Sequence, residues 1–167
     1  EQYLMGLNGS VDYTPTVLRF ATAFGLSTRM RFDLTVSEFT RELALGRELL
    51  VYDAKTWRPY CHVRDFGRLI DLVFKAPAEK IAFEVFNAGG EANNYTKQGI
   101  VDAILEQLPN AKVKYKEHGV DPRNYRVDFS KVRKNLNFEP KYTVPDGIKE
   151  VLLAFENHSF DHVDEQR

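Results

Sequence analysis

Long apolar runs are missing from this 167-residue chain. No stretch approaches the ~20 consecutive apolar residues that a membrane-spanning helix needs. Cysteine is nearly missing too. Cys61 stands alone, so no internal disulfide can form, and its solitude fits a reducing, cytoplasmic setting. Charge of one sign is also lacking: 23 Lys and Arg against 24 Asp and Glu leave a net charge of −1. That balance gives no electrostatic reason to expect nucleic acid or an anionic membrane surface as a partner. There is no internal repeat, low-complexity block or Gly/Ser linker. Neither a Gly-x-Ser-x-Gly elbow nor a His-Glu-x-x-His helix occurs. His158 and His162 are spaced to share a helix face, but no third ligand accompanies them, so no metal site is expected. Cys61 and His62 are neighbours on an extended piece and point to opposite faces, which excludes a dyad. No signal peptide is visible, but the chain opens on Glu1-Gln2-Tyr3 without methionine, so that absence proves little.

What is present reads as a globular fold. Hydrophobic content of 43% beside 28% charged residues separates the chain from disordered sequences. Residues 1–8 resemble the tail of a helix stopped by Asn8-Gly9. Val17 to Phe24 reads as one buried strand, and Leu26 to Phe32 as a loop. Asp33 or Thr35 is expected to cap the next helix, with Thr35-Val36-Ser37-Glu38 at capping-box spacing. Val36, Phe39 and Leu43 form its buried face and Gly46 ends it. Leu49 to Tyr52 and Tyr60 to Val63 are short extended pieces. Asp65 is expected to cap a helix whose apolar face is Phe66, Leu69, Ile70, Val73 and Phe74, closed by Pro77. Phe83 to Asn87 reads as a strand and Gly89-Gly90 as a plain turn. Thr96 caps a helix carrying Ile100, Ile104 and Leu108. Lys112 to Tyr115 alternates like an edge strand, Phe129 to Leu136 is a short helix, and Thr143 with Asp146 opens the last one. Strands alternating with helices indicate an α/β fold class.

Arginines carry the main chemical signal. Arg29 and Arg31 precede a helix start, Arg58 sits beside Pro59 and Tyr60, and Arg123 lies in Asp121-Pro122-Arg123-Asn124-Tyr125-Arg126. A diphosphate suits bidentate guanidinium donors, and the helix start near Leu34 and Thr35 offers free backbone N–H groups. Surface ion pairing explains any single arginine equally well.

Four segments in order resemble the substrate half of the extended short-chain dehydrogenase/reductase family, the NAD-dependent nucleotide-sugar epimerases and dehydratases. They are Leu18–Gly25, Gly46–Tyr52, Arg58–Asp65, and Tyr125–Lys131 continuing through Leu136–Pro140 to Thr143–Ile148. The resemblance implies the C-terminal part of a Rossmann-type fold: the last sheet strands plus a small α/β substrate-binding lobe over residues 1–158, with 159–167 a frayed tail. It implies that Arg58 clamps a phosphate or ribose of a nucleoside diphosphate sugar and that Tyr60 shapes the nucleotide site. Leu34 and Thr35 would touch the nucleotide through backbone groups, with Arg31 nearby, and Arg123 would close over the diphosphate. Phe20 and Ala21 would lie by the nicotinamide of the cofactor. Thr22 falls where many members carry asparagine. His62 is expected to be packed or hydrogen-bonded and not catalytic.

The family's glycine-rich dinucleotide turn has no counterpart here, and neither does its Tyr-x-x-x-Lys pair. The expectation is therefore a truncated portion, inactive alone, whose parent oxidises a sugar hydroxyl transiently with NAD or NADP. No cofactor is expected to bind this portion by itself. Self-association, or a partner polypeptide supplying the Rossmann half, is expected because open strand edges invite pairing. Two alternatives stay open. One is a non-catalytic nucleotide-sugar binding or structural partner module. The other is a reductase of a non-sugar substrate, which would have no use for Arg58 and Arg123.

Overall fold

A computed structural model describes residues 1–117 and 123–160. Its strands form where apolar and β-branched residues cluster, and its helices where the apolar spacing lengthens to three and four. The chain runs through α1 (Gln2–Met5), β1 (Thr16–Phe20), β2 (Thr22–Phe24), α2 (Thr35–Ala44), β3 (Leu49–Tyr52) and β4 (Trp57–His62). It continues with α3 (Val63–Lys75), α4 (Ala78–Ile81), β5 (Glu84–Ala88) and β6 (Asn94–Thr96). Last come α5 (Lys97–Leu105), β7 (Val113–Lys116), α6 (Ser130–Leu136) and α7 (Val144–Glu156). Strands β1 and β5 pair in parallel, as do β3 and β7. Strand β4 is the middle of a third sheet, parallel to β2 and antiparallel to β6.

The expected strand from Val17 to Phe24 is two strands. Ala21 still donates its N–H to the carbonyl of Ala88 at 3.1 Å. Beyond Ala88 the partner turns away through Gly89, so the chain changes sheets and Thr22 aligns with Tyr60 instead. The Gly89-Gly90 pair is more than a plain turn. A Cβ on Gly89 would lie 2.6 Å from the Phe129 ring, and one on Gly90 would lie 2.7 Å from Pro140. Only glycine allows this close approach. The helix expected over residues 1–8 is confined to Gln2–Met5.

Two helix starts also differ from expectation. Helix α2 is capped by Leu34, whose side chain accepts nothing. Thr35 is already helical, and the Asp33 carboxylate is taken by the Arg31 guanidinium at 2.9 and 2.5 Å. Helix α3 begins before Asp65: His62 is its cap, with Nδ1 accepting the Arg64 N–H at 3.1 Å. Asp65 lies in the first turn, fully buried. Its carboxylate accepts the backbone N–H groups of Lys141 and Tyr142 at 3.0 to 3.1 Å, together with the Arg68 guanidinium. That inward pull selects which stripe of α3 is buried. Leu69 is buried one turn along from Asp65, and Leu72 and Val73 pack beside it. Phe66, Ile70 and Phe74 form a second stripe one residue, about 100°, further round. Ile70 is 39% exposed and Phe74 85%.

Two further starts follow the sequence. The Thr96 hydroxyl accepts the Gly99 N–H at 2.9 Å and opens α5. Asp146 accepts both the N–H and the hydroxyl of Thr143 at 2.7 Å and opens α7. Those two bonds hold the Asp146 carboxyl below its usual range.

Two cores result. Helices α2, α5 and α7 bury Val36, Phe39, Ile100, Ile104, Ile148 and Leu152 against Phe24 and Tyr60 of the three-stranded sheet. Leu69 of α3, Phe86 of β5, Val132 of α6, Phe129 and Phe138 form the other. At ~25 cal/mol per Å² of apolar surface removed from water, such clusters dominate the favourable side of folding.

Candidate functional site

Strand β4 organises the candidate site, because the segment at 123–127 is fastened along its start. Asn124 Oδ1 accepts the Trp57 N–H at 2.9 Å, and the Tyr125 N–H reaches the Trp57 carbonyl at 3.3 Å. The Asn94 side chain, on β6, both accepts from Val127 N–H and donates to the Val127 carbonyl, each at 3.0 Å. Two guanidinium–aromatic contacts reinforce the join. Arg58 lies 5.5 Å from the Tyr125 ring centre, and Arg126 lies 4.8 Å from that of Trp57. Such contacts contribute about 0.5–1 kcal/mol each at exposed positions. The residue after Arg123 is thus hydrogen-bonded to the residue before Arg58.

A cleft of about 300 Å³ opens next to this join. Phe20, Ala21 and Thr22 line it from the β1–β2 junction, and Tyr125, Val127 and Phe129 line it from the fastened segment. Arg19, Pro59 and Asn87 complete the lining. Asn87 is held by a bond from its Nδ2 to the Asp128 carbonyl at 3.1 Å, and Arg19 by Glu1 at 2.9 and 2.5 Å. The Phe20 ring, 42% exposed, sits 4.3 Å from that of Phe66.

The structure brings some expected residues together and separates others. Phe20, Ala21 and Thr22 share the cleft. Arg58 stands at the join beside it, stacked on the cleft residue Tyr125, with Nη1 donating to the Trp57 carbonyl at 2.8 Å. Arg123 begins the fastened segment, although Asp121 and Pro122 of the same motif lie outside the described residues. Arg31 is exposed and paired with Asp33, whose carboxyl it pulls down to about 2. Leu34 and Thr35 start α2, as the anion reading requires. Tyr60 is 1% exposed, belongs to the core under α2, α5 and α7, and does not line the cleft. Its hydroxyl oxygen has no hydrogen-bond partner of normal geometry. Burial pushes that hydroxyl above its usual pKa, with the neighbouring Thr35 hydroxyl opposing the shift.

Arg19, Asn87 and Val127 were not singled out from the sequence. Asn87 had a signal, since it ends the expected strand just before Gly89-Gly90; Arg19 and Val127 lay inside the resembling segments Leu18–Gly25 and Tyr125–Lys131 without a role assigned to them.

Other chemistries find no support here. Burial, with the Asp65 carboxylate nearby, pushes the Cys61 thiol up to about 12, which leaves it protonated and inert. Among the described residues no three His, Cys, Asp or Glu side chains group as metal ligands. His162 lies outside those residues, as does the tail at 161–167. No described helix is long and apolar enough to cross a membrane.

Comparison with known proteins places this geometry. The sequence pattern of the NAD dependent epimerase/dehydratase family matches residues 1–89. The chain belongs to that family. Among curated proteins, this family member is 26% identical over 141 residues to a UDP-glucuronate 4-epimerase of Thermodesulfobacterium geofontis. That match takes in 82% of this chain and 42% of the relative. An uncharacterised protein of Methanocaldococcus jannaschii is 29% identical over 137 residues, covering 79% of this chain and 40% of its own. Among solved structures, the UDP-glucose 4-epimerase of Thermotoga maritima, determined with UDP-glucose, superposes with a TM-score of 0.78 at 25% identity. It covers 95% of this chain and 51% of that one. An epimerase of Methanothermobacter thermautotrophicus shares the fold with a TM-score of 0.81 at 17% identity. The chain therefore spans about half the length of the relatives it matches, and its mixed α/β architecture is that of Rossmann-type epimerase structures.

The unpartnered Tyr60 hydroxyl yields a clear expectation. Tyr60→Phe removes a buried polar atom that makes no bond, so unfolding free energy should hold within about 0.5 kcal/mol or rise slightly. Urea denaturation showing a loss above about 1 kcal/mol would mean the hydroxyl has a structural partner.

Proposed function

We propose that this chain is the nucleotide-sugar-gripping portion of an NAD(P)-dependent sugar-nucleotide epimerase or dehydratase. Residues 1–158 form the substrate-binding part of that enzyme. Arg58 and Arg123 hold the diphosphate, and the start of α2 at Leu34 and Thr35 presents backbone N–H groups to the nucleotide. The observation that carries this reading is the join at Trp57. It fastens the segment that begins at Arg123 to the strand bearing Arg58, so the two arginines are close along the start of β4. A diphosphate repays that arrangement, because each guanidinium can meet phosphate oxygens in a bidentate way. A neutral substrate would not, which disfavours a reductase of an uncharged ligand.

In this reading the described residues supply no dinucleotide cradle. The Gly89-Gly90 turn is filled by Phe129 and Pro140 and leads into a 3-10 turn over Glu91–Asn93, leaving no cradle for a pyrophosphate. In this reading the nicotinamide cofactor and the proton-transferring groups come from outside the chain. Its own residues bind and orient the sugar nucleotide, and orientation alone accounts for several kcal/mol of many enzymatic barriers. The cleft between Phe20 and Phe129 then lies where the sugar end meets the cofactor.

The surface supports a covering partner. Among the described residues the β1–β5 pair is a parallel sheet of two strands, whereas parallel sheets normally carry cover on both faces and further strands. Phe20, Ile70 and Phe74 are exposed near that pair. A Rossmann half, in the same polypeptide or another, would continue the sheet along β1.

Calorimetric titration with uridine diphosphate should show binding that Arg58→Ala weakens by about 2–3 kcal/mol. Equal affinity in both proteins would remove Arg58 from the grip. Separately, the 167-residue chain should self-associate in size-exclusion chromatography with light scattering. A clean monomer at micromolar concentration would argue that no large face awaits cover.

A further inference from the structure

No residue of helix α7 lines the cleft, yet the helix holds the loop that leads into α2. Its Glu150 carboxylate does so through one oxygen. Oε2 accepts the Leu26 N–H at 3.2 Å and also meets His62 Nε2 at 2.9 Å. The other oxygen, Oε1, pairs with Arg64 at 3.0 Å. His62 is fully buried, and its Nδ1 already accepts the Arg64 N–H. Its proton must therefore sit on Nε2, so neutral His62 donates to Glu150. The ring is clamped between Tyr142, stacked at 4.5 Å, and Phe24, edge-on at 5.2 Å.

The loop is shaped to reach this point. Gly25 sits at φ 95°, and a Cβ there would fall 2.1 Å from His62 Nε2. Only glycine permits both the backbone turn and the contact. Immediately afterwards the Leu26 N–H turns onto Glu150. Near the loop's far end, Phe32 packs against Phe155, also on α7, with ring centres 6.0 Å apart. One helix thus fixes both ends of the segment from Leu26 to Phe32, and the α2 start follows directly.

We propose that Glu150 is a positioning residue for the nucleotide site. It sets the loop from Leu26 and, through it, the placement of Leu34, Thr35 and the N–H groups at the start of α2. The inference rests on the proposed nucleotide-sugar grip for its functional meaning. Its structural content stands independently, because Glu150 touches neither the cleft nor the arginines assigned to the diphosphate. A bond to a charged acceptor is strong enough for its loss to be felt at a neighbouring site.

The atom-level geometry makes the test specific. Because a single oxygen serves both His62 and Leu26, the amide oxygen of Glu150→Gln can replace it. Arg64, 54% exposed, can turn away from the new NH₂. Glu150→Ala removes the acceptor altogether. In the full polypeptide, hydrogen exchange should show protection of amides 26–34 falling in Glu150→Ala and kept in Glu150→Gln, while α5 and β5 stay unchanged in both. Uridine diphosphate affinity should fall roughly tenfold in Glu150→Ala and recover to within about twofold in Glu150→Gln. Unchanged exchange at 26–34 in Glu150→Ala, or protection lost evenly across the molecule, overturns the proposal. Altered exchange with unchanged affinity also overturns it as a site-positioning claim. If the unsubstituted protein fails to bind uridine diphosphate, the nucleotide reading fails, and the exchange data still judge the loop. Should Glu150→Ala not fold, ¹⁵N spectra of the unsubstituted protein decide. They should show His62 with Nε2 protonated and Nδ1 bare; the opposite tautomer overturns the proposal.

Discussion

Two buried ionisable groups one helical turn apart, His62 and Asp65, tie this molecule together. Neither is exposed to solvent, and each is tolerated because its partners are in place. His62 ends β4, caps α3 and reaches Glu150 on α7. Asp65 receives the backbone of Lys141 and Tyr142, which lead into α7. Leaving the buried Asp65 carboxylate unpaired costs about 3–5 kcal/mol, a large fraction of the ~5–15 kcal/mol that stabilises a typical domain. The junction of β4 and α3 thus fixes where α7 lies. Helix α7 in turn fixes the loop before α2, and the start of β4 fixes the segment that carries Arg123.

Local patterns were legible where one element contained the whole signal. Thr96 and the Thr143–Asp146 pair could be read as caps because donor and acceptor are close in sequence. The buried faces of α2 and α5 followed from spacing alone. Most of the failures share one cause, a distant partner, while the α2 start fails through its immediate neighbours. Asp65 has the appearance of a cap, yet its donors are at 141 and 142. Thr35-x-x-Glu38 has box spacing, yet the chain enters one residue earlier and Arg31 occupies Asp33. The strand from Val17 to Phe24 splits because β5 runs out at Ala88, a fact about another part of the chain. On α3 the apolar stripe was visible, but the half of it that faces inward is set by Asp65.

The candidate site was legible in the same uneven way. Arg58 and Arg123 are far apart in sequence, and their closeness in the fold depends on Asn124 and Tyr125 meeting Trp57. The role of Asn94 as a clamp on Val127 had no sequence signal, because an asparagine in Asn93-Asn94 shortly before a helix resembles any turn residue. The Phe66–Ile70–Phe74 stripe and the two-stranded parallel sheet have a common explanation under the proposed function. Solved epimerases of the same fold are about twice as long as this chain. A second half of that kind would cover the stripe and extend the sheet.

Whether one edge of β4 grips a pyrophosphate is the question on which the functional reading stands or falls. A crystal structure of the full polypeptide with a nucleoside diphosphate sugar answers it. The expected result is phosphate oxygens within about 3 Å of the Arg58 and Arg123 guanidinium groups, with the nucleoside against the α2 start. A ligand seated elsewhere, with both arginines turned to protein partners, would contradict the reading.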